Sequence, residues 1–308
     1  MKSKVKLIYN PVAGSRMFLD HMDTFFKKFK EYRVEVYRTR EKENLVNELS
    51  SLKGKEEDYY AIIVAGGDGT VSKVVNALML NNIYLPLGII PAGTTNDFAV
   101  QLNIPDDYRE CYNLFLNKEK VDKVDVGKIG NNYFINVCVG GNFSSIAHKT
   151  NYEFKNKLGR IAYYLQGIRD LPNLTPFPMR IHSSQRVIEE DIFLYLIMNS
   201  KRAGGFDNLA QNASLNDGLF DLIAVKARKI YKLPNLILKL FQNKHLKDDK
   251  IITLQDKYFK IELIKNKSNT FSEDIPVDVD GEKGPSLPVE INVIPRRLKV
   301  FHNNTGDI

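Results

Sequence analysis

Residues Tyr59–Leu78 read YYAIIVAGGDGTVSKVVNAL. The first seven are almost continuously apolar, which predicts a strand buried on both faces, as in a parallel sheet. Val71, Val74, Val75, Leu78 and Met79 then recur at helical spacing, which predicts a helix over Thr70–Met79. Between them stand Gly66, Gly67, Asp68 and Gly69. A helix start presents unpaired N–H groups and the positive end of the helix dipole, and both suit a phosphate. Glycine tolerates left-handed backbone and lets a ligand approach closely. The same residues would also serve a plain tight turn. The P-loop pattern GxxxxGK[ST] and the dinucleotide pattern GxGxxG are both absent.

Outward from this stretch, strand-like and helix-like segments alternate. KVKLIY (Lys4–Tyr9) precedes a segment with Phe18, Phe25, Phe26 and Phe29 near helical spacing. RVEVYRT follows, then Glu41 to Lys53 with Leu45, Leu49 and Leu52 on one face, and YLPLGIIP comes after the glycine stretch. Such alternation predicts parallel strands joined by crossover helices, with ligands beyond the carboxyl ends of the strands. Two more predicted strand ends carry small and polar residues. YNPVAGSR brings Asn10, Gly14, Ser15 and Arg16, and IIPAGTTNDFA brings Gly93, Thr94, Thr95 and Asp97. In one parallel sheet the three would share a rim.

Near Val121 the pattern changes. KVDVGKI, NYFINVCVG, PMRIHSS, DIFLYLIMNS, LFDLIAVKA, YFKIELIK, VEINVIP and RLKVFHN read as strands broken by Gly, Asn and Asp turns, which predicts a sandwich or barrel. Only Asn142 to Asp170 and Leu233 to Leu246 read as helical. The chain has 308 residues, enough for two domains, and 43% hydrophobic with 26% charged residues marks an ordinary globular protein. Two cysteines, Cys111 and Cys138, argue against a disulfide scaffold and fit a reducing compartment. The start MKSKVKLIYN reads as a first strand and not as a signal peptide, and the apolar run Ile192–Met198 is too short to span a bilayer. A net charge of +7 serves solubility, or attracts a nucleotide, a nucleic acid or an anionic membrane face. No zinc-finger spacing or RNP-like motif supports nucleic acid.

Several residues have quieter readings. Glu282 in DGEKG suits a hairpin turn, Asp280 shapes that turn or assists Glu282, and Asp125 suits a strand end. The five histidines form no metal-ligand pair and read as surface residues, and Cys138 as a packed thiol. Ile230 to Lys247 is a basic amphipathic segment that either packs on its own domain or lies on a membrane. The aromatics of Leu158 to Leu174 border a lipid pocket or fill a core.

In order, NPVAG, GGDGTV and PAGTTNDFA, then SLNDGLFDL (Ser214–Leu222) and VDVDGE (Val277–Glu282), resemble the motifs of the bacterial diacylglycerol kinase and related lipid kinase family, which includes sphingosine and ceramide kinases. GGDGT alone is shared with NAD kinases and is close to the phosphofructokinase loop. The combination spans nearly the whole chain. The resemblance implies a Rossmann-like α/β nucleotide-binding domain over residues 1–124, with a return strand in 296–308. It implies an all-β, sandwich-like lipid-substrate domain over 125–295. It gives ATP phosphates to Gly66, Gly67, Asp68, Gly69, Thr70, Val71 and Ser72. Asn10, Pro11, Val12, Ala13, Gly14, Arg16, Thr39, Arg40, Gly93, Thr94, Thr95 and Asn96 would complete that pocket. Asp68, Asp97 and Asp125 would hold a catalytic magnesium through water, and Glu282 would be the general base. Ser214, Asp217 and Leu219 would hold a structural magnesium that stiffens a loop of the second domain.

The implied reaction is ATP-dependent phosphorylation of a membrane lipid, with diacylglycerol the default. Long-chain bases, phosphatidylglycerol or a prenol-type alcohol stay open. The enzyme would be cytoplasmic and peripheral at the inner membrane face, and homodimers occur in the family. Two departures stand out: Val100 where the family often has arginine, and Ser15 and Arg16 where some members carry lysine. An NAD kinase is disfavoured, since no Asn-Glu pair follows the glycine loop. A non-catalytic regulator of the same fold is disfavoured by the intact Asp68, Asp97 and Glu282.

Overall fold

In the computed structural model the described residues are 3–13, 17–40, 45–141, 175–229, 236, 239, 242–264 and 275–305. The chain divides into two compact units. The first comprises Met1–Val126, Leu215–Asp217 and Ile294–Ile308, and the second Gly127–Ser214 and Gly218–Val293.

The first unit is built on parallel strands β1 (Lys4–Tyr9), β2 (Arg33–Arg38), β3 (Tyr59–Gly66) and β4 (Leu87–Pro91), in the order β2-β1-β3-β4. β3 is buried at every residue after Tyr59, as its unbroken apolar run requires. The register places Tyr9 beside Ala65 and Gly66 beside Pro91, so β1, β3 and β4 end on one rim. From β1 the chain leaves for β2 on one side, and from β3 for β4 on the other. That reversal opens the crevice where α/β sheets bind ligands.

The helices of this unit are α1 (Met17–Asp20), α2 (Met22–Lys28), α3 (Leu45–Ser50), α4 (Asp68–Asn81), α5 (Asp97–Gln101) and α6 (Tyr108–Phe115). α4 begins two residues before the predicted start, because Gly67 caps it and accepts from the amides of Thr70 and Val71. Its apolar face, Val71, Val74, Val75 and Leu78, is buried. Phe18, Phe25 and Phe29 are buried too, whereas Phe26 turns outward.

The second unit is antiparallel in every strand pair it contains among the described residues. β5 (Val121–Ile129) enters it and pairs there with β6 (Asn132–Phe134). β7 (Val137–Gly141), β8 (Phe177–Ser183) and β10 (Phe220–Lys226) all pair with β9 (Val187–Met198). β11 (Ile251–Asp256) extends from β10, and β12 (Tyr258–Leu263) joins β8. β13 (Pro276–Val279) and β14 (Glu282–Ser286) form a hairpin whose first strand pairs with β7. Its core packs Phe134, Tyr195, Phe220, Phe259 and the aliphatic side chains of these strands.

VEINVIP and RLKVFHN, read as two strands, form one: β15 (Val289–Phe301) pairs with β12 at Val289–Asn292 and with β4 at Val300. Arg296, at φ 49°, marks a bend inside it. The surface reading of the histidines fails for His245, which is buried with Nε2 2.8 Å from the Leu209 carbonyl. Cys138 is a buried thiol whose pKa burial pushes far up, with Asp278 and Asp280 adding to the rise. The helical reading of Asn142 to Asp170, the aromatic segment Leu158 to Leu174 and most of Ile230 to Lys247 lie outside the described residues.

Candidate active site

Each strand end on the rim is tied to its neighbour by short-range hydrogen bonding. After β1, the Asn10 amide donates to the Ala65 carbonyl (2.9 Å), and Asn10 Nδ2 donates to Thr70 Oγ1 (3.1 Å). Asn10 Oδ1 accepts from the Val12 amide, which folds Pro11–Ala13 into a turn with Val12 exposed at its tip. After β2, the Thr39 amide donates to the Tyr9 carbonyl (2.9 Å), and Arg40 is exposed. Gly14, Ser15 and Arg16 lie outside the described residues.

The β3–α4 and β4–α5 turns touch backbone to backbone. A Cβ on Gly93 would lie 2.5 Å from the Gly67 Cα, and one on Gly67 would lie 3.0 Å from the Gly93 Cα. Only two residues without side chains let these turns meet. Asn96 closes the second turn. Its Oδ1 accepts from the Gly93 amide (2.8 Å), its Nδ2 donates to the Gly93 carbonyl (3.0 Å), and its own backbone is left-handed at φ 49°.

Asp68 stands in the first turn of the 14-residue α4, where the dipole favours an anion. Its Oδ2 accepts from Thr95 Oγ1 (2.8 Å) and its Oδ1 from the Phe98 amide (3.4 Å). The carboxylate is therefore aimed by the neighbouring turn. Thr94, next to Thr95 in the chain, is exposed. The Val71 and Ser72 side chains are buried. Val100, the departure from the family pattern, is 43% exposed.

Asp97 is 3% exposed and Asp125 is fully buried. Asp125 Oδ1 accepts from the Arg296 amide (2.7 Å), and its own amide donates to the Leu215 carbonyl (2.6 Å). The latter bond anchors the turn-rich stretch that carries Ser214, Asp217 and Leu219, where Gly218 adopts φ 76°. Leu215–Asp217 thus cluster with the first unit, although the whole motif was expected in the second domain. Among the described residues no three His, Cys, Asp or Glu side chains converge on one metal position. Asp68, Asp97 and Asp125 therefore do not form a direct cage. Carboxylate oxygens are the ligand type that magnesium takes, usually with several of its waters kept.

In the second unit, Glu282 opens β14 and is exposed, just after the Asp280-Gly281 turn. Three features here escaped the sequence. The Asn10–Thr70 bond and the Gly67–Gly93 contact join residues far apart in the chain, and nothing in spacing reveals them. The bonding around Asp280 was likewise hidden, although Asp-Gly flanked by apolar residues is a recognisable hairpin turn.

A parallel sheet whose strand ends carry a glycine-lined helix start, an aimed aspartate and polar turns is the framework of a nucleotide-binding α/β protein. The chain belongs to the diacylglycerol kinase family. Residues 4–129 match the diacylglycerol kinase catalytic domain, and residues 137–302 match the YegS C-terminal NAD kinase beta sandwich-like domain. It is 31% identical to the diacylglycerol kinase of Staphylococcus carnosus (strain TM300) over 303 residues, covering 98% of this chain and 95% of that protein. It is 32% identical to the diacylglycerol kinase of Bacillus subtilis (strain 168) over 300 residues, covering 96% and 95%. A crystal structure of a diacylglycerol kinase from Bacillus anthracis str. Sterne superposes with a TM-score of 0.75 at 29% identity, covering 98% of this chain and 97% of that one. The chain is accordingly a phosphotransferase with an alcohol group as acceptor. No described helix is long and apolar enough to cross a membrane.

Proposed function

We propose that this protein is an ATP-dependent lipid kinase that transfers the γ-phosphate to a hydroxyl of a membrane lipid, with diacylglycerol as acceptor and phosphatidic acid as product. The observation that carries this reading is the shared rim, where the Gly67–Gly93 contact clears backbone space at the start of α4 and Thr95 aims Asp68 beside it. The names of the relatives support the lipid acceptor. The net charge of +7 supports peripheral attachment to an anionic membrane face.

The phosphates of ATP lie against the first amides of α4, whose dipole stabilises their charge. Asn10 and Thr70, bonded to each other, fix the wall formed by the end of β1. Asp68, Asp97 and Asp125 would hold a hydrated magnesium ion through its waters. When bound, that ion neutralises phosphate oxygens and orients the γ-phosphoryl group. Glu282 accepts the proton of the lipid hydroxyl as its oxygen bonds to the γ-phosphorus. The bond from γ-phosphorus to the β–γ bridging oxygen breaks, and ADP leaves. Residues 1–124 carry the nucleotide in this scheme, and residues 125–295 supply Glu282 and receive the lipid.

Incubation with γ-labelled ATP, magnesium and a total lipid extract is expected to label one lipid class, identified by mass spectrometry as phosphatidic acid. A different labelled lipid replaces diacylglycerol as acceptor, labelled NADP in a parallel incubation supplied with NAD makes the protein an NAD kinase, and normal ATP binding without any transfer makes it a regulator.

A further inference from the structure

Three acidic side chains, Asp278, Asp280 and Glu282, stand in the hairpin at Val277–Glu282, and the structure treats them differently. Asp280 and Gly281 take φ of 51° and 87°, the paired positive values of a type I′ turn. Asp280 is no ordinary turn residue, because three consecutive amides point at its carboxylate. Ile135 N–H donates to Oδ2 (2.9 Å), and Asn136 and Val137 N–H donate to Oδ1 (3.0 and 2.9 Å). The Asp280 amide in turn donates to the Val137 carbonyl (2.9 Å). Both carboxylate oxygens thus accept from backbone N–H groups, which together form a nest.

The nest is itself braced from behind. Asn199 Nδ2 donates to the Ile135 carbonyl (2.9 Å), and the Asn199 amide donates to the Asn136 carbonyl (2.9 Å). Ser200 Oγ contacts Asn136 Oδ1 and lies 2.7 Å from the Arg202 carbonyl. Asn136, Asn199 and Ser200 are all buried. Asp278 completes the frame by accepting from the Gly281 amide (2.8 Å). The end of β9 thus fixes the segment before β7, and that segment fixes the turn from which Glu282 emerges two residues later.

We infer that Asp280 is the positioning residue for Glu282: its carboxylate pins the hairpin to the Ile135–Val137 amides so that the Glu282 carboxylate is held still, and it takes no proton itself. The inference rests on the proposed role of Glu282 as base. A pinned turn matters because a base displaced by an ångström loses much of its advantage. Asn136, Asn199 and Ser200 serve the same end at one remove.

The test is a double-mutant cycle on the full-length protein, comparing wild type, Asp280→Asn, Glu282→Gln and the double variant in the lipid phosphorylation assay. Asp280→Asn is expected to lower kcat about 30- to 100-fold, with the KM for ATP within roughly twofold and the acid limb of the pH–rate profile retained. The double variant is expected to be no slower than Glu282→Gln alone, since Asp280 acts only through Glu282. A double variant slowed by the full Asp280→Asn factor overturns the inference. So does loss of the acid limb in Asp280→Asn, which would make Asp280 a base, or a kcat within roughly twofold of wild type. If Asp280→Asn does not fold by circular dichroism, Ser200→Ala takes its place. Its kcat is expected to fall about 3- to 10-fold at constant KM, and an unchanged kcat overturns the inference. Wild-type turnover by Glu282→Gln is a distinct result, because it removes the proposed base and the inference with it.

Discussion

Gly93 and Gly67 meet with so little room that one methyl group decides whether the rim exists. A Gly93→Ala methyl would press on the Gly67 Cα at 2.5 Å and on Asn96 Oδ1 at 2.8 Å, and the first of these is backbone that cannot step aside. The variant is expected to lose about 1–3 kcal/mol of stability by overpacking and to bind ATP more weakly. Urea denaturation and calorimetric titration with a non-hydrolysable ATP analogue measure the two effects. Unchanged nucleotide affinity would show that the turn lies away from the phosphates. At this scale the sequence was partly legible. Gly66–Gly69 announced a clearing at a helix start, but the partner that makes Gly67 necessary sits 26 positions away. Asp68 was legible as an acidic residue at a helix start, whereas its orientation by Thr95 depends on two strands being neighbours.

Among the elements, β10 and β11 are held at their ends by a buried ion pair. Arg228, just beyond β10, pairs with Asp248, just before β11, and Lys239 adds a bond of 2.8 Å. Burial alone would raise the Asp248 carboxyl, but hydrogen bonds from Arg228, Lys239 and the Lys250 amide outweigh it and hold the group well below the usual range. A carboxyl with a depressed folded pKa stabilises the protein above its unfolded pKa of about 4, and that contribution is lost as pH falls towards the folded value. Acid titration followed by circular dichroism is therefore expected to show stability declining below about pH 4 in wild type and a shallower decline in Asp248→Asn. At neutral pH the variant is expected to be less stable by about 3–5 kcal/mol, since Arg228 is left buried without its counter-charge. Equal acid slopes would contradict this account. The elements themselves were legible where periodicity was clean, as in β3 and α4. β15 was split in two because Ile294-Pro295-Arg296 reads as a break. The bend is real at Arg296, but its amide is taken by Asp125 and the strand continues.

For the whole molecule, the parallel strands of the first unit and the antiparallel strands of the second follow from how apolar residues are distributed. Continuous runs such as YYAIIVA predict strands buried on both faces, and alternating ones such as PMRIHSS predict strands with one wet face. His245 escaped this reading because a lone histidine carries no periodicity, and its buried Nε2 finds its partner in the Leu209 carbonyl, which accepts from it. The central claim is that nucleotide phosphates rest on the rim around Asp68 while Glu282 removes the acceptor's proton. Single-turnover transfer of γ-labelled phosphate to diacylglycerol in mixed micelles, run beside ATP binding on the same preparations of wild type and Glu282→Gln, tests it most directly. The account predicts that Glu282→Gln binds ATP as wild type does while transfer falls at least about a hundredfold, the loss of a general base. Transfer at the wild-type rate, or loss of ATP binding together with transfer, would contradict it.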